Sequence, residues 1–277
     1  LDRPAQCGTV ERPLDPAAPG GATIAIHVAR IPASKAARRN PLYFFAGGPG
    51  QGAIAAFAPL LSALDELGRD RDIVLVDQRG TGDSSPLACS SDPDAPLSER
   101  MSPEVDVPLL RRCLAGYQVD PRFFTTEIAV EDLDAVREAL GDARIDVIGG
   151  SYGTRAALVY TRAHPDRVGR MVLDGVAPVD MAMPSSFGVD GQAALSRVFA
   201  DCAADPDCGP RFPDLARRFD AYLNELARQP RSMTLEDPRT GAVETVVVQR
   251  DAIAHAVRGL LYVPQLQALL PLTLERA

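Results

Sequence analysis

Histidine is scarce in this chain, with three among 277 residues, and the shortage limits every scheme of base catalysis that can be drawn from it. No Lys/Arg-rich run and no interleaving of basic and aromatic residues occurs. With 37 acidic against 29 basic residues the formal net charge is -8, so a nucleic-acid groove is excluded. No stretch approaches the ~18 consecutive apolar residues of a membrane span. The five cysteines, Cys7, Cys89, Cys113, Cys202 and Cys208, lack the paired C-x-x-C spacing of a zinc site, which leaves disulfides in an oxidising compartment as their expected use. There are no internal repeats. The chain begins at Leu1 with neither an initiator Met nor an apolar leader, and a processed or trimmed N-terminus is expected.

What is present is a hydrophobic fraction of 46%, ample for a core, in alternating strand and helix patterns. Thr23 to Arg30 alternates as a half-exposed strand and is expected to open the sheet. Leu42 to Phe45 and Ile73 to Val76 read as buried strands. Between them Ile54, Phe57, Leu60, Leu61, Leu64 and Leu67 recur at helical spacing as far as Gly68, broken by Pro59. Ser85 to Arg122 is rich in Pro, Ser and Asp and reads as a long surface excursion rather than a core element. Thr126 is expected to cap a helix carrying Leu133, Val136 and Leu140 on one face and ending at Gly141. A strand from Ile145, a helix over Thr154 to Ala163 and a strand over Val168 to Leu173 complete the alternation, which implies a mostly parallel α/β sheet covered on both faces. Beyond Pro178 the pattern becomes helical, with helices around Leu195 to Phe199 and Leu215 to Leu226, a hairpin around Asp237 to Gly241, and further helices from Asp251 and Pro264. Residues 1–178 therefore read as a core and residues 179–277 as a mainly helical cap over the site.

The chemistry centres on Gly149-Gly150-Ser151-Tyr152-Gly153, a G-x-S-x-G pattern between a strand and a helix, as a nucleophile elbow requires. A turn that sharp needs small residues two positions either side of the serine, and it points the hydroxyl out above the positive end of the following helix. An acyl-transfer serine also needs an oxyanion hole. Tyr152 supplies one amide, and the Gly47-Gly48-Pro49-Gly50 loop after the earlier strand supplies another, at Gly48. A phosphate cradle is the competing reading of that loop, but Gly48-x-Gly50-x-Gly52 is not G-x-G-x-x-G, and Pro49 removes an amide that a pyrophosphate would use.

Taken together, Gly47-Gly48-Pro49-Gly50, Asp77-Gln78-Arg79-Gly80-Thr81-Gly82-Asp83-Ser84 and Gly149-Gly150-Ser151-Tyr152-Gly153-Thr154-Arg155 resemble the proline iminopeptidase and tripeptidyl aminopeptidase family of α/β-hydrolases. The cysteine-flanked turn Cys202 to Cys208, followed by Phe212-Pro213-Asp214-Leu215, resembles the cap of its secreted tripeptidyl-aminopeptidase-like branch. Phe45-Ala46 stands where many iminopeptidases carry a histidine before the glycines. The resemblance implies an α/β-hydrolase fold and a secreted or periplasmic serine exopeptidase. Such an enzyme acts on peptides with a free N-terminus, releases tripeptides or proline through an acyl-enzyme, and needs no metal or organic cofactor. Ser151 is then the nucleophile and Gly48 and Tyr152 hold the oxyanion, while Arg79 and Asp83 pin their loop by local hydrogen bonds. A carboxylic-ester hydrolase on the same scaffold, or a catalytically silent binding protein, are the alternatives.

The general base is missing. In this fold the acid and then the histidine follow the serine, yet His164 lies 13 residues on along a helix, about 20 Å away at ~1.5 Å per residue. His255 reads as a helix-face residue of the cap and His27 as a strand residue. Asp174, at the end of a strand, holds a position some members use for the acid, although the resemblance puts the acid later. The expectation is that residues 1–277 are the front part of the catalytic unit and that a C-terminal fragment of the same protein supplies Asp and His. For the cysteines, Cys202 and Cys208 are expected to pair, since five intervening residues including Pro206 can bring their α-carbons within ~4.4–6.8 Å. Cys89 with Cys113 is the second expected pair, and Cys7 is left over.

Overall fold

The computed structural model describes residues 4–61, 65–89, 95–102 and 105–276. They form two compact units: residues 1–89 with 109–181, and residues 90–108 with 182–277.

The first unit is built on six strands: β1 (Gln6–Pro13), β2 (Thr23–Ile31), β3 (Leu42–Phe45), β4 (Ile73–Val76), β5 (Ile145–Gly150) and β6 (Val168–Asp174). Their order in the sheet is β1-β2-β4-β3-β5-β6. From β4 to β6 every pairing is parallel, and β1 and β2 add an antiparallel hairpin at one side. The expected mostly parallel sheet is present, but β2 does not open it. β1 precedes it and carries no strand pattern, since only Val10 among its residues is a large apolar one. An edge strand that faces water needs no apolar alternation, and eight register pairs with β2 hold it in place.

Side-chain alternation along the short buried strands feeds two cores. Tyr43, Phe45, Val74, Val76, Ile145 and Val147 point to one face, where they pack with Val130, Leu133 and Val136 of the helix Thr126–Ala139 and Ala156, Ala157, Val159 and Tyr160 of the helix Tyr152–Ala163. Leu42, Phe44, Ile73 and Leu75 point to the other face and pack with Ala53, Ile54, Phe57 and Leu61.

In chain order the helices are α1 (Ala53–Phe57), α2 (Leu97–Arg100), α3 (Val107–Gly116), α4 (Thr126–Ala139) and α5 (Tyr152–Ala163). α1 is shorter than its apolar spacing suggested. Pro59 turns the chain into a 3-10 turn over Ala58–Leu60, and Leu64, counted in the same pattern, lies outside the described residues. The residue that caps α4 is Thr125, one earlier than expected: its extended backbone lets its hydroxyl accept from Ile128 N at 3.4 Å. The stretch Ser85 to Arg122 is not a bare excursion, since it contains α2, α3 and a 3-10 turn at Pro121–Phe123, and Leu97 is buried.

The second unit holds α6 (Phe187–Ala204), α7 (Cys208–Arg211), α8 (Leu215–Arg228), the antiparallel hairpin β7 (Arg231–Glu236) and β8 (Val243–Val248), α9 (Arg250–Leu260) and α10 (Pro264–Glu275). Leu195, Val198, Phe199, Leu215, Phe219, Val257 and Leu270 form its core. Leu97 of α2 packs on Val246 and Val248, and Arg100 pairs with Asp237 at 2.7 Å, which is why residues from the supposed excursion belong to this unit. Both disulfides form, Cys89–Cys113 with α-carbons 5.6 Å apart and Cys202–Cys208 with α-carbons 5.1 Å apart, while Cys7 is exposed and free.

Candidate active site

Parallel pairing brings the carboxyl ends of β4, β3 and β5 to the same end of the sheet. Three loops therefore converge there: 77–84 after β4, 46–52 after β3 and the turn after β5. Phe45 pairs with Gly149, so the glycine loop leaves its strand beside the serine turn.

Ser151 is exposed and adopts φ 54° and ψ -121°, a conformation that β-carbon-bearing residues rarely hold without support. The flanking glycines are what allow it. A β-carbon on Gly149 would lie 2.5 Å from the Gly153 carbonyl oxygen, and one on Gly153 would collide with the Phe45 carbonyl. Gly150 faces open space, so its glycine is not demanded by packing. The turn is clamped from both sides: Ser151 N donates to Asp174 O at 2.8 Å, and the Thr154 amide and hydroxyl donate to Ser151 O at 3.0 and 2.6 Å. The buried Thr154 hydroxyl also accepts from Ala177 N at 2.8 Å, which ties the loop after β6 to the elbow.

Helix α5 begins at Tyr152, two residues earlier than the sequence suggested, so the Tyr152 amide is one of the first-turn donors that no helical carbonyl can satisfy. The Tyr152 hydroxyl lies 2.7 Å from Thr126 Oγ1, anchoring the side chain to α4. Opposite, Gly47 packs against the turn so closely that a β-carbon on it would stand 3.1 Å from both Gly150 O and Ser151 Cβ. Gly48 follows at φ +104°, a region that favours glycine. A hydroxyl held at the positive end of a helix, with the Tyr152 amide in that helix's first turn, suits attack on an acyl carbon.

Asp77 supports this arrangement in a way the sequence reading missed. Its buried carboxylate accepts from Ile54 N at 3.0 Å and from Asp83 N at 3.2 Å, so it fastens the start of α1 to the loop after β4. Arg79 is pinned by partners far along the chain rather than by the local hydrogen bonds expected of it. Its five N–H groups reach Asp132 twice (2.6 and 2.9 Å), Leu14 O, Phe123 O and Pro13 O, leaving no donor for a substrate. Asp83 is exposed and enters the network through its backbone amide.

No base stands at the serine from His27 or His164. His27 lies on β2, separated from β5 by β4 and β3, which at ~4.8 Å per strand is about 14 Å. His164 ends α5 and faces Glu131 at 3.2 Å. His255 is exposed on α9 of the second unit. Asp174 meets the site through its backbone carbonyl, and its residue is exposed. Among the described residues no group of three His, Cys, Asp or Glu is placed to hold a metal, and no helix is long and apolar enough to cross a membrane.

The profile of the alpha/beta hydrolase fold family matches residues 40–242. The chain is 31% identical over 241 residues to the serine protease Hip1 of Mycobacterium tuberculosis, covering 79% of this chain and 45% of that protein. It is 32% identical over 194 residues to the tripeptidyl aminopeptidase of Streptomyces coelicolor, covering 64% and 36%. It is 33% identical over 275 residues to carboxylesterase B of M. tuberculosis, covering 88% and 52%. The chain spans about half the length, or less, of these relatives.

Proposed function

Since the chain belongs to the alpha/beta hydrolase family, we propose that it is the nucleophile-bearing part of a serine exopeptidase that releases tripeptides or proline from peptide N-termini through an acyl-enzyme. The observation that carries this reading is Ser151 at φ 54°, held between Gly149 and Gly153 at the start of α5, and the amides of Tyr152 and Gly48 are its oxyanion donors in this reading. In this reading residues 179–277 act as a cap, as the family resemblance implies, and the two disulfides support secretion or a periplasmic location.

The acid and base come from outside residues 1–277, from a C-terminal segment of the same protein. Two observations support this. His27 and His164 are too far from Ser151, and among the described residues β6 is the last strand of the sheet, with Val172 57% exposed. A hydrophobic edge of that kind is normally paired or covered.

The test is labelling of the full-length protein by a fluorophosphonate, alongside hydrolysis of a tripeptidyl anilide and of a short acyl ester. Ser151→Ala should abolish labelling and lower turnover by at least ~10³-fold. Wild-type rates in that variant would sink the assignment. Preference for the ester would favour the second reading, a carboxylic-ester hydrolase, which the similarity to carboxylesterase B supports. Absence of labelling in the wild type would leave a silent binding protein.

A further inference from the structure

The two peptide planes that flank Ser151 are both gripped. The Ser151 N–H, which shares a plane with the Gly150 carbonyl, donates to Asp174 O at 2.8 Å. The Ser151 carbonyl oxygen accepts from the Thr154 amide at 3.0 Å and from the Thr154 hydroxyl at 2.6 Å. That hydroxyl is not free to rotate. Its one proton goes to Ser151 O while its oxygen accepts from Ala177 N at 2.8 Å, and Thr154 and Ala177 are both buried. Asp174 ends β6 and Ala177 lies in the loop after it, so a closed ring runs from the serine to Asp174, along the chain to Ala177, across to Thr154 and back to the serine.

A trans peptide is planar, with its C=O and N–H pointing opposite ways. The Ser151 carbonyl and the Tyr152 N–H lie in one such plane, so whatever fixes the carbonyl oxygen also aims the amide. Ser151 at φ 54° lies outside the broad basins that hold a non-glycine backbone unaided, which leaves the setting of that plane to its partners. The Thr154 amide belongs to the first turn of α5, whereas the Thr154 hydroxyl ties the carbonyl to a segment 23 residues away. Thr161, farther along the same helix, offers the contrast: its hydroxyl donates to Ala157 O at 2.8 Å, a bond that stays inside the helix and far from the serine.

We infer that Thr154 is a positioning residue for acyl transfer, whose hydroxyl, locked by Ala177 N, aims the Tyr152 amide at the oxygen that becomes the oxyanion. The inference rests on the hydrolase reading above. In that step the serine oxygen bonds to the acyl carbon, the C=O electron pair moves onto the carbonyl oxygen and the serine proton passes to the base. Charge appears on the oxygen only as the tetrahedral adduct forms, so a misdirected amide costs the transition state more than it costs the bound substrate. Valine matches threonine in shape but has no hydroxyl. In its place Ala177 N is left buried without an acceptor and the Ser151 carbonyl keeps one donor of two.

The experiment uses the full-length protein and compares Thr154→Val, Thr154→Ser and the control Thr161→Val. Each is assayed below its melting temperature on whichever of the tripeptidyl anilide and the short acyl ester the wild type cleaves faster. In Thr154→Val kcat is expected to fall about 10- to 100-fold with KM within about 2-fold of wild type, and Thr154→Ser should recover most of the loss. Two inhibitors separate aim from binding: a trifluoromethyl ketone built on that substrate's acyl group, which forms a tetrahedral adduct with the serine, and the same compound with its carbonyl reduced to methylene. Thr154→Val should weaken the ketone by the factor lost from kcat/KM and leave the reduced compound unchanged. A Thr154→Val that melts lower yet keeps kcat, equal weakening of both inhibitors, a Thr154→Ser no better than valine, or an equal loss in Thr161→Val overturns the positioning role and leaves the hydrolase reading standing. A wild type that neither labels with a fluorophosphonate nor cleaves either substrate overturns both. Should Thr154→Val fail to fold, Thr154→Ala, which opens the position instead of facing Ala177 N with a methyl group, carries the same expectations.

Discussion

Arg79→Met tests whether the arginine beside the candidate site is a fastener or a chemical participant. The guanidinium and the Asp132 carboxylate are 1% and 2% exposed, and Arg12, at 3.1 Å and partly exposed, is the other cation on that carboxylate. Removing the guanidinium leaves a buried carboxylate with one partner, a loss of about 3–5 kcal/mol. The carbonyls of Pro13, Leu14 and Phe123 lose their donors too, at no more than about 1 kcal/mol each once water reaches them. A total of about 3–8 kcal/mol at roughly 2–4 °C per kcal/mol predicts a Tm drop of about 6–32 °C. Asp132→Leu should also be costly, by about 3–5 kcal/mol, because it strands the guanidinium. The double variant Arg79→Met/Asp132→Leu should be more stable than Arg79→Met alone, since no buried unpaired charge remains and the partly exposed Arg12 is left to water, and that non-additivity is the signature of the pair. The assays are thermal melts of the full-length proteins and fluorophosphonate labelling below the melt. A Tm shift under about 4 °C in Arg79→Met, or additive single effects, would refute the fastener argument, and labelling lost with Tm unchanged would make Arg79 a participant.

Three further outcomes follow from the geometry. Gly153→Ala should unfold the elbow, because its β-carbon meets the Phe45 carbonyl, whereas Gly150→Ala faces open space and should shift stability by no more than about 0.5 kcal/mol; the two melting curves decide. Removing Cys89–Cys113, with a sequence separation of 24, should cost about 3–4 kcal/mol on the chain-entropy model and removing Cys202–Cys208, with a separation of 6, about 2 kcal/mol; a reversed order in denaturant titrations would contradict that model here. Burial, together with the neighbouring carboxylates, raises the hydroxyl pKa of Tyr43 beside Asp142 and of Tyr160 beside Asp134. A raised folded pKa gives stability that is fully present below the unfolded value near ~10 and is lost as pH rises above it, so Tyr43→Phe/Tyr160→Phe should flatten the alkaline arm of the stability profile.

The parts of the fold that were legible in the sequence are those whose burial is dictated locally. Leu42 to Phe45 and Ile73 to Val76 are apolar on both sides because both faces of the sheet are covered there, and the one polar atom among their side chains, the Tyr43 hydroxyl, is paired with Asp142. β1 was not legible because water covers much of it, and its position comes from backbone pairing with β2 and from distant partners, Val10 on the core and Arg12 on Asp132. α2 was hidden for a related reason. Its four residues owe their place to Leu97 packing on Val246 and Val248, partners almost 150 residues away that no local pattern announces.

The same division runs through the candidate site. The elbow was readable because its constraint lies within five consecutive residues: a serine at positive φ demands the glycines on either side, and the glycines are visible as letters. The supports were not readable, since Asp77 reaches Ile54 across 23 residues and Thr154 reaches Ala177 across another 23, so neither side chain has a sequence signature apart from the fold.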